Sequence, residues 1–206
     1  MRQYHQYLET VIAIAKEAGA AIMQVYATNF DVEHKSDNSP LTQADLAAHH
    51  VIVHALKKLT PNIPVLSEES EHVSPAERNG WPIYWLIDPL DGTREFIKRN
   101  GEFTVNIALI SQHISVLGVV YAPVTELLYY AVAGHGAYKQ SKGYAAQPRS
   151  IDRLHPRADR RSMRFRRDRV QLHKGQTRTN AGANSLEEFA VRLGIGQIRI
   201  GGLPGR

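Results

Sequence analysis

The stretch Trp85-Leu86-Ile87-Asp88-Pro89-Leu90-Asp91-Gly92-Thr93 stops an apolar run on two carboxylates, a glycine and a hydroxyl. Ahead of the acids, Ile83 to Ile87 is short, aromatic and β-branched, and it lies between Pro82 and Pro89. That composition predicts a buried strand over 83–87, because two prolines leave little room for a helix and such side chains suit a pleated surface. The acids then leave the C-terminal end of a strand. In α/β architectures ligands gather at such ends, since the loops leaving a sheet point several groups into one crevice. Asp88 and Asp91 are three residues apart across a turn in which Pro89 fixes φ and Gly92 admits conformations that other residues resist, so both carboxylates can face one point. Two carboxylates held that close repel unless a cation lies between them. Oxygen ligands in a chain without cysteine point to a hard ion, Mg2+, over a softer metal. Asp, Pro and Gly are also the ordinary residues of a surface turn, and the stretch taken alone supports that reading equally well.

A second acidic group shifts the balance. Pro64-Val65-Leu66-Ser67 reads as another short strand, and Glu68-Glu69 follows it in the same order of strand, then acids. If the two strands lie side by side, their acids meet and form a metal site.

Ser67-Glu68-Glu69, followed by Asp88-Pro89-Leu90-Asp91-Gly92-Thr93, resembles the signature of the inositol monophosphatase superfamily of Mg2+-dependent, lithium-sensitive phosphatases. The continuation from Arg94-Glu95-Phe96-Ile97-Lys98-Arg99-Asn100-Gly101-Glu102 through Phe103-Thr104-Val105-Asn106 to Ile110 is similar to the 3'(2'),5'-bisphosphate nucleotidase branch. The resemblance runs from the first helix to about Lys139. It implies an α+β chain with the layered α/β sugar-phosphatase fold, its first domain present over 1–142 and its second α/β domain largely missing.

The resemblance also implies roles. Glu68 and Asp88 with the Leu90 carbonyl would bind a first Mg2+ and Asp91 a second, giving two or three ions in all. Lys35 to Asp45 is similar to the family's Lys-x-Asp-x-Ser-Pro-x-Thr-x-x-Asp motif, which puts Asp37 beside a further metal position and Asp45 behind the ligands. Glu68 and Thr93 would be catalytic, orienting the attacking water, while Leu90, Asp91, Gly92 and Thr93 would meet the substrate and the Gly92-Thr93-Arg94 amides would cradle its phosphate. The implied substrate is a small nucleotide bisphosphate, 3'-phosphoadenosine 5'-phosphate, hydrolysed to AMP and phosphate in sulfur assimilation. Inositol monophosphate and fructose bisphosphate are the alternatives. Lys98 and Arg99 read either as phosphate partners or as a solvated face.

Composition bounds the rest. No run of about 18 apolar residues occurs and Met1-Arg2-Gln3-Tyr4-His5 leads into no signal-peptide segment, so the expected location is cytoplasmic, with peripheral attachment at the inner membrane as an option the family suggests. Leu8, Val11, Ile12, Ala15, Ala18, Ile22 and Val25 recur at helical spacing over 4–26, with Gly19 read as a close packing contact. A short strand is expected at 31–34. A helix to about Leu59 follows, with Thr42 and Asp45 resembling a capping box at its start. His50 and His54 on it have the spacing of zinc ligands, but no third ligand is evident. After a polar loop over 70–81, runs at 103–110, 116–121 and 127–132, completed by 134–138, predict an antiparallel meander.

The net charge of +5 divides unevenly. Residues 1–148 carry 11 Lys+Arg against 15 Asp+Glu, a net of −4, whereas 149–206 carry 14 against 5, a net of +9. Nine arginines crowd 149–169 without apolar periodicity, and only 185–193 reads as a short helix, ended by Gly194. A basic tail binds nucleic acid through counterion release. That reading ranks second, because Phe165 is the sole Phe, Tyr or Trp between Arg149 and Phe189 available to stack on bases. The family's Trp-Asp-x-Ala-x-Gly motif is absent after Trp85. The expectation is a tail read out of frame from a point between Tyr138 and Arg149, in a chain with little catalysis. Resequencing the coding DNA checks this: one base change should restore a second domain, and a verified uninterrupted frame encoding an active protein would overturn it.

Overall fold

Alternation and helical periodicity in the first 149 residues build two helices against one sheet. The computed structural model describes residues 4–28, 40–69, 73–74, 77–78 and 80–149. The strand expected at 31–34, the acid Asp37, part of the 70–81 loop and almost all of the arginine-rich segment, with the helix expected at 185–193, lie outside them.

A 3-10 turn, His5–Tyr7, leads into helix α1, Leu8–Tyr26; α2 is Pro40–Leu59 and α3 the short Thr93–Ile97. The strands are β1 Val65–Ser67, β2 Ile83–Asp91, β3 Thr104–Ser111, β4 Ile114–Ala122, β5 Leu127–Val132, β6 Gly136–Gln140 and β7 Gln147–Arg149. They form one sheet in the order β1 to β7. β1 pairs with β2 in parallel, and every later neighbour is antiparallel. The meander therefore stands as expected, and the sheet continues past residue 142 into β7.

Helix α2 begins at Pro40, earlier than a cap at Thr42 allows. Proline suits the first helical position, where no amide partner is needed, so Thr42 and Asp45 lie inside the helix. One face of the sheet, through Trp85, Ile87, Val105, Ile107, Leu109, Leu117 and Val119, packs with Val11, Ile12, Ala15 and Ile22 of α1 and Ala48, Ile52 and Leu56 of α2. The opposite face carries a smaller cluster of Ala108, Val120, Ala131 and Ala137. Trp85 is fully buried, and its indole N–H donates to Thr60 Oγ1 at 2.8 Å. The Thr60 hydroxyl donates onward to the Leu56 carbonyl at 3.1 Å. The C-terminal end of α2 is thus tied to β2, with no polar atom of the indole left unmatched.

Gly19 bears out the packing expected of it. A Cβ there would stand 2.7 Å from the Tyr121 ring and 3.1 Å from Pro123. Helix α1 approaches β4 only because that position has no side chain. Gly19→Val should cost about 1–3 kcal/mol, the range for overpacking a filled core. Ala20→Lys on the exposed neighbour should stay within about 0.5 kcal/mol. Denaturant melts of the two variants check the difference.

Candidate metal centre

The parallel pairing of β1 with β2 aligns Val65 with Trp85, Leu66 with Leu86 and Ser67 with Ile87. Glu68 and Asp88 are therefore the next residues on two adjacent strands, which is the side-by-side arrangement the sequence required. Strand β2 does not stop at Ile87. It runs on to Asp91 through a bulge: Asp88 faces Asn106 and Asp91 faces Thr104, so Pro89 and Leu90 together oppose Val105 alone. Pro89 fits within the strand because the β1 pairing has already ended at Ile87, leaving that side of β2 without a ladder to break.

Beyond the bulge, Gly92 has φ +98°, and a Cβ there would meet the Glu102 carbonyl at 2.8 Å and Phe103 at 3.1 Å. Glycine alone fits, and it starts α3 with Thr93 as its first residue. Three rings seat that helix: Tyr26, Phe96 and Phe103 stand 5.0–5.3 Å apart, centroid to centroid. Arg99 donates to the Tyr26 and Thr28 carbonyls beyond α1 and stacks its guanidinium over the Tyr26 ring. It serves the C-terminal end of α1, where a cation also suits the helix dipole. Lys98 is exposed.

The acids crowd one another. Asp88 is pushed up from the ordinary 3.8 to about 8 by burial first, then by the charges of Asp91, Glu68 and Asp45; a backbone hydrogen bond from Leu90 works the other way. Asp45 is likewise raised to about 8, by burial, by the charge of Glu69 and a hydrogen bond with it, and by Glu68. Its Oδ1 is buried and has no partner. Asp91 is oriented by Asn106, whose Nδ2 donates to Asp91 Oδ2 at 3.2 Å while Thr104 Oγ1 donates to Asn106 Oδ1 at 3.2 Å. His49 places Nδ1 2.8 Å from Ser67 Oγ. Burial and the neighbouring His50 lower its pKa, favouring the neutral ring.

The model of the inositol monophosphatase family matches residues 3–198. The chain belongs to the inositol monophosphatase family. It is 57% identical over 142 residues, 68% of this chain, to the 3'(2'),5'-bisphosphate nucleotidase CysQ of Salmonella typhimurium. It is similar to the crystal structure of CysQ from Bacteroides thetaiotaomicron, with TM-score 0.58 and 53% identity over 63% of this chain and 47% of that one. An inositol monophosphatase from Anabaena matches with TM-score 0.53 and 25% identity, over 68% of this chain and 47% of that one. The chain spans between 49% and 57% of the length of the curated relatives it matches. The α+β layering expected from the family resemblance is the fold observed.

Set against that family's pattern, the structure brings together Glu68, Asp88, Asp91 and Asp45, with Thr93 starting the helix that follows; Asp37 lies outside the described residues. Among the described residues no group of three or more His, Cys, Asp or Glu side chains is placed to hold a metal ion as it stands. The donor set still fits a hard divalent ion: it is made of oxygens, its charges repel, and one buried carboxylate oxygen is unmatched. His50 and His54 line a groove between α1 and α2 with Glu17, outside this set. Sequence reasoning missed Asn106 and His49. The signal for Asn106 was on view, since Thr104 and Asn106 alternate as polar residues in an otherwise apolar strand. No helix among the described residues is long and apolar enough to cross a membrane.

Both upward shifts mean that the folded chain holds more protons than the unfolded one between the ordinary carboxyl range near 4 and about 8. Stability of the metal-free protein should therefore be full at the acid end of that window, fall as pH rises through it, and level off above about 8. Mg2+, which competes with those protons, should offset the loss. Asp88→Asn should make the profile shallower and leave the part that Asp45 contributes. Melting temperatures from pH 4 to 9 in EDTA and in Mg2+ check the sign.

Proposed function

We propose that this chain carries the metal-binding part of a Mg2+-dependent phosphomonoesterase that hydrolyses 3'-phosphoadenosine 5'-phosphate to AMP and phosphate. The observation behind the reading is that Glu68, Asp88 and Asp91, at the ends of two parallel strands, meet Asp45 of α2, where burial and mutual repulsion disfavour the charged forms of Asp88 and Asp45. Mg2+, when bound, would supply charge neutralisation at the phosphoryl oxygens and an activated water. Glu68, Asp88, Asp91 and the Leu90 carbonyl would hold it, at two or three positions, with Asp37 as a further ligand.

The chain's own groups do the rest. Asn106 holds one Asp91 oxygen by a hydrogen bond, which leaves that carboxylate a restricted set of directions. Thr93 and Glu68 would orient the attacking water in line with the phosphorus–oxygen bond that breaks; the water's oxygen bonds to phosphorus, and the proton the water gives up is matched by the one the departing ribose oxygen takes. The backbone N–H groups of Gly92, Thr93 and Arg94 face the phosphate. Support for the nucleotide over inositol monophosphate comes from the 57% identity to a bisphosphate nucleotidase, against 25% to the inositol monophosphatase.

Phosphate release from 3'-phosphoadenosine 5'-phosphate and from inositol monophosphate, measured beside a full-length relative, tests the reading. Release should favour the nucleotide, vanish in EDTA, and drop at least about a hundredfold in Asp88→Asn and Asp91→Asn, the scale of losing one electrostatic contact to the transition state. Thr93→Ala should lower kcat far more than it shifts the Mg2+ needed for half-saturation. Release unchanged by EDTA would overturn the metal assignment.

A further inference from the structure

Helix α2 meets the acid-bearing turn at two points one helical turn apart. Asp45 lies against Glu69, and four residues on, His49 reaches Ser67. Positions i and i+4 share one helix face, so both contacts come from a single side of α2. Ser67 is buried at 6% exposure and ends β1, so Glu68 follows it directly. The Ser67 hydroxyl oxygen, 2.8 Å from His49 Nδ1, also accepts the Glu69 backbone N–H at 3.3 Å.

We propose that His49 is a positioning residue for metal binding, acting through Ser67 to fix the turn 67–69 on which Glu68 is presented. The proposal rests on the metal-site reading above. The Glu69 N–H donates to Ser67 Oγ, and with the ring proton on Nε2 the Ser67 O–H would donate onward to Nδ1, which closes the chain. A turn without this contact lets the Glu68 carboxylate sample positions that an ion would have to select against. Order established beforehand is order the ion need not impose, which is how residues behind metal ligands act on affinity. His49 also packs edge-on against the His50 ring at 5.6 Å, so a role in packing alone is the competing account.

Geometry separates the two. In His49→Asn the amide oxygen takes the place of Nδ1, whereas His49→Gln carries its amide to the place of Nε2 and His49→Leu keeps bulk without polarity. Binding of Mn2+ alone, followed by electron paramagnetic resonance without substrate, should weaken about tenfold in the Leu and Gln variants and recover largely in Asn. Ser67→Ala should weaken binding at least as much as the Leu variant, since it also removes the acceptor of the Glu69 N–H, and adding His49→Leu to it should weaken binding no further, because the contact that His49 makes is already gone. Parent-like Mn2+ binding in His49→Leu, or additive losses in the double variant, would overturn the proposal while leaving the metal site standing. If the Leu variant does not fold, Gln and Ser67→Ala carry the same comparison. A parent chain that binds no Mn2+ would overturn the metal-site reading and this inference with it.

Discussion

Like charges gathered where water is scarce dominate the energetics of this chain. Asp88 and Asp45 are both held well above the ordinary carboxyl range, with burial as the largest cause and neighbouring acids next. Left to themselves such groups would turn away from one another or stay protonated, at a cost in both cases. The surrounding structure prevents the first outcome. The bulge fixes Pro89 and Leu90, Asn106 holds Asp91, Gly92 admits no side chain, and α2 braces the other strand's acids from behind.

The remainder of the described fold keeps those restraints in place. The Trp85–Thr60–Leu56 relay fastens α2 to β2, so the helix that carries Asp45 and His49 moves with the strand that carries Asp88. The Tyr26, Phe96 and Phe103 rings fasten α3 to the end of α1. Burial of each large apolar side chain contributes about 1.5–3 kcal/mol. That is the scale required to hold carboxyls at close quarters. The acids are thus tolerated by a core that is apolar on the helix side and hydrogen-bonded where it is not.

Much of this was legible in the residues, for identifiable reasons. Periodicity pointed to the first helix, because a 3.6-residue stripe is a direct record of burial, and β-rich runs joined by short connections pointed to the meander. The strand-then-acid order at Ser67-Glu68 and Ile87-Asp88 pointed to two acids that β1 and β2 do bring side by side, since that depends on only two local patterns and one pairing. What escaped notice depended on contacts across distance. The extension of β2 through Pro89 relies on β1 being too short to need that side, a fact of the neighbour and not of the strand. Arg99 looked available for phosphate until the ends of α1 and α3 met and occupied it. His49 looked like one of three histidines on a helix, and its link to Ser67 is a matter of how two elements dock.

The parallel seam between β1 and β2 has one more consequence. Hydrogen-bonded strands lie about 4.8 Å apart whatever their side chains are, so the backbones that carry Glu68 and Asp88 are spaced by the sheet itself. That seam is a ruler made of main chain. Sequence can adjust only what hangs from it, the length and rotamer of each acid, and a glutamate on one strand with an aspartate on the other is one such setting. A substitution at either acid leaves the ruler intact. A slip of register would not, because one residue of slippage turns every side chain of the strand to the other face, and the ladder that sets this register is only three residue pairs long.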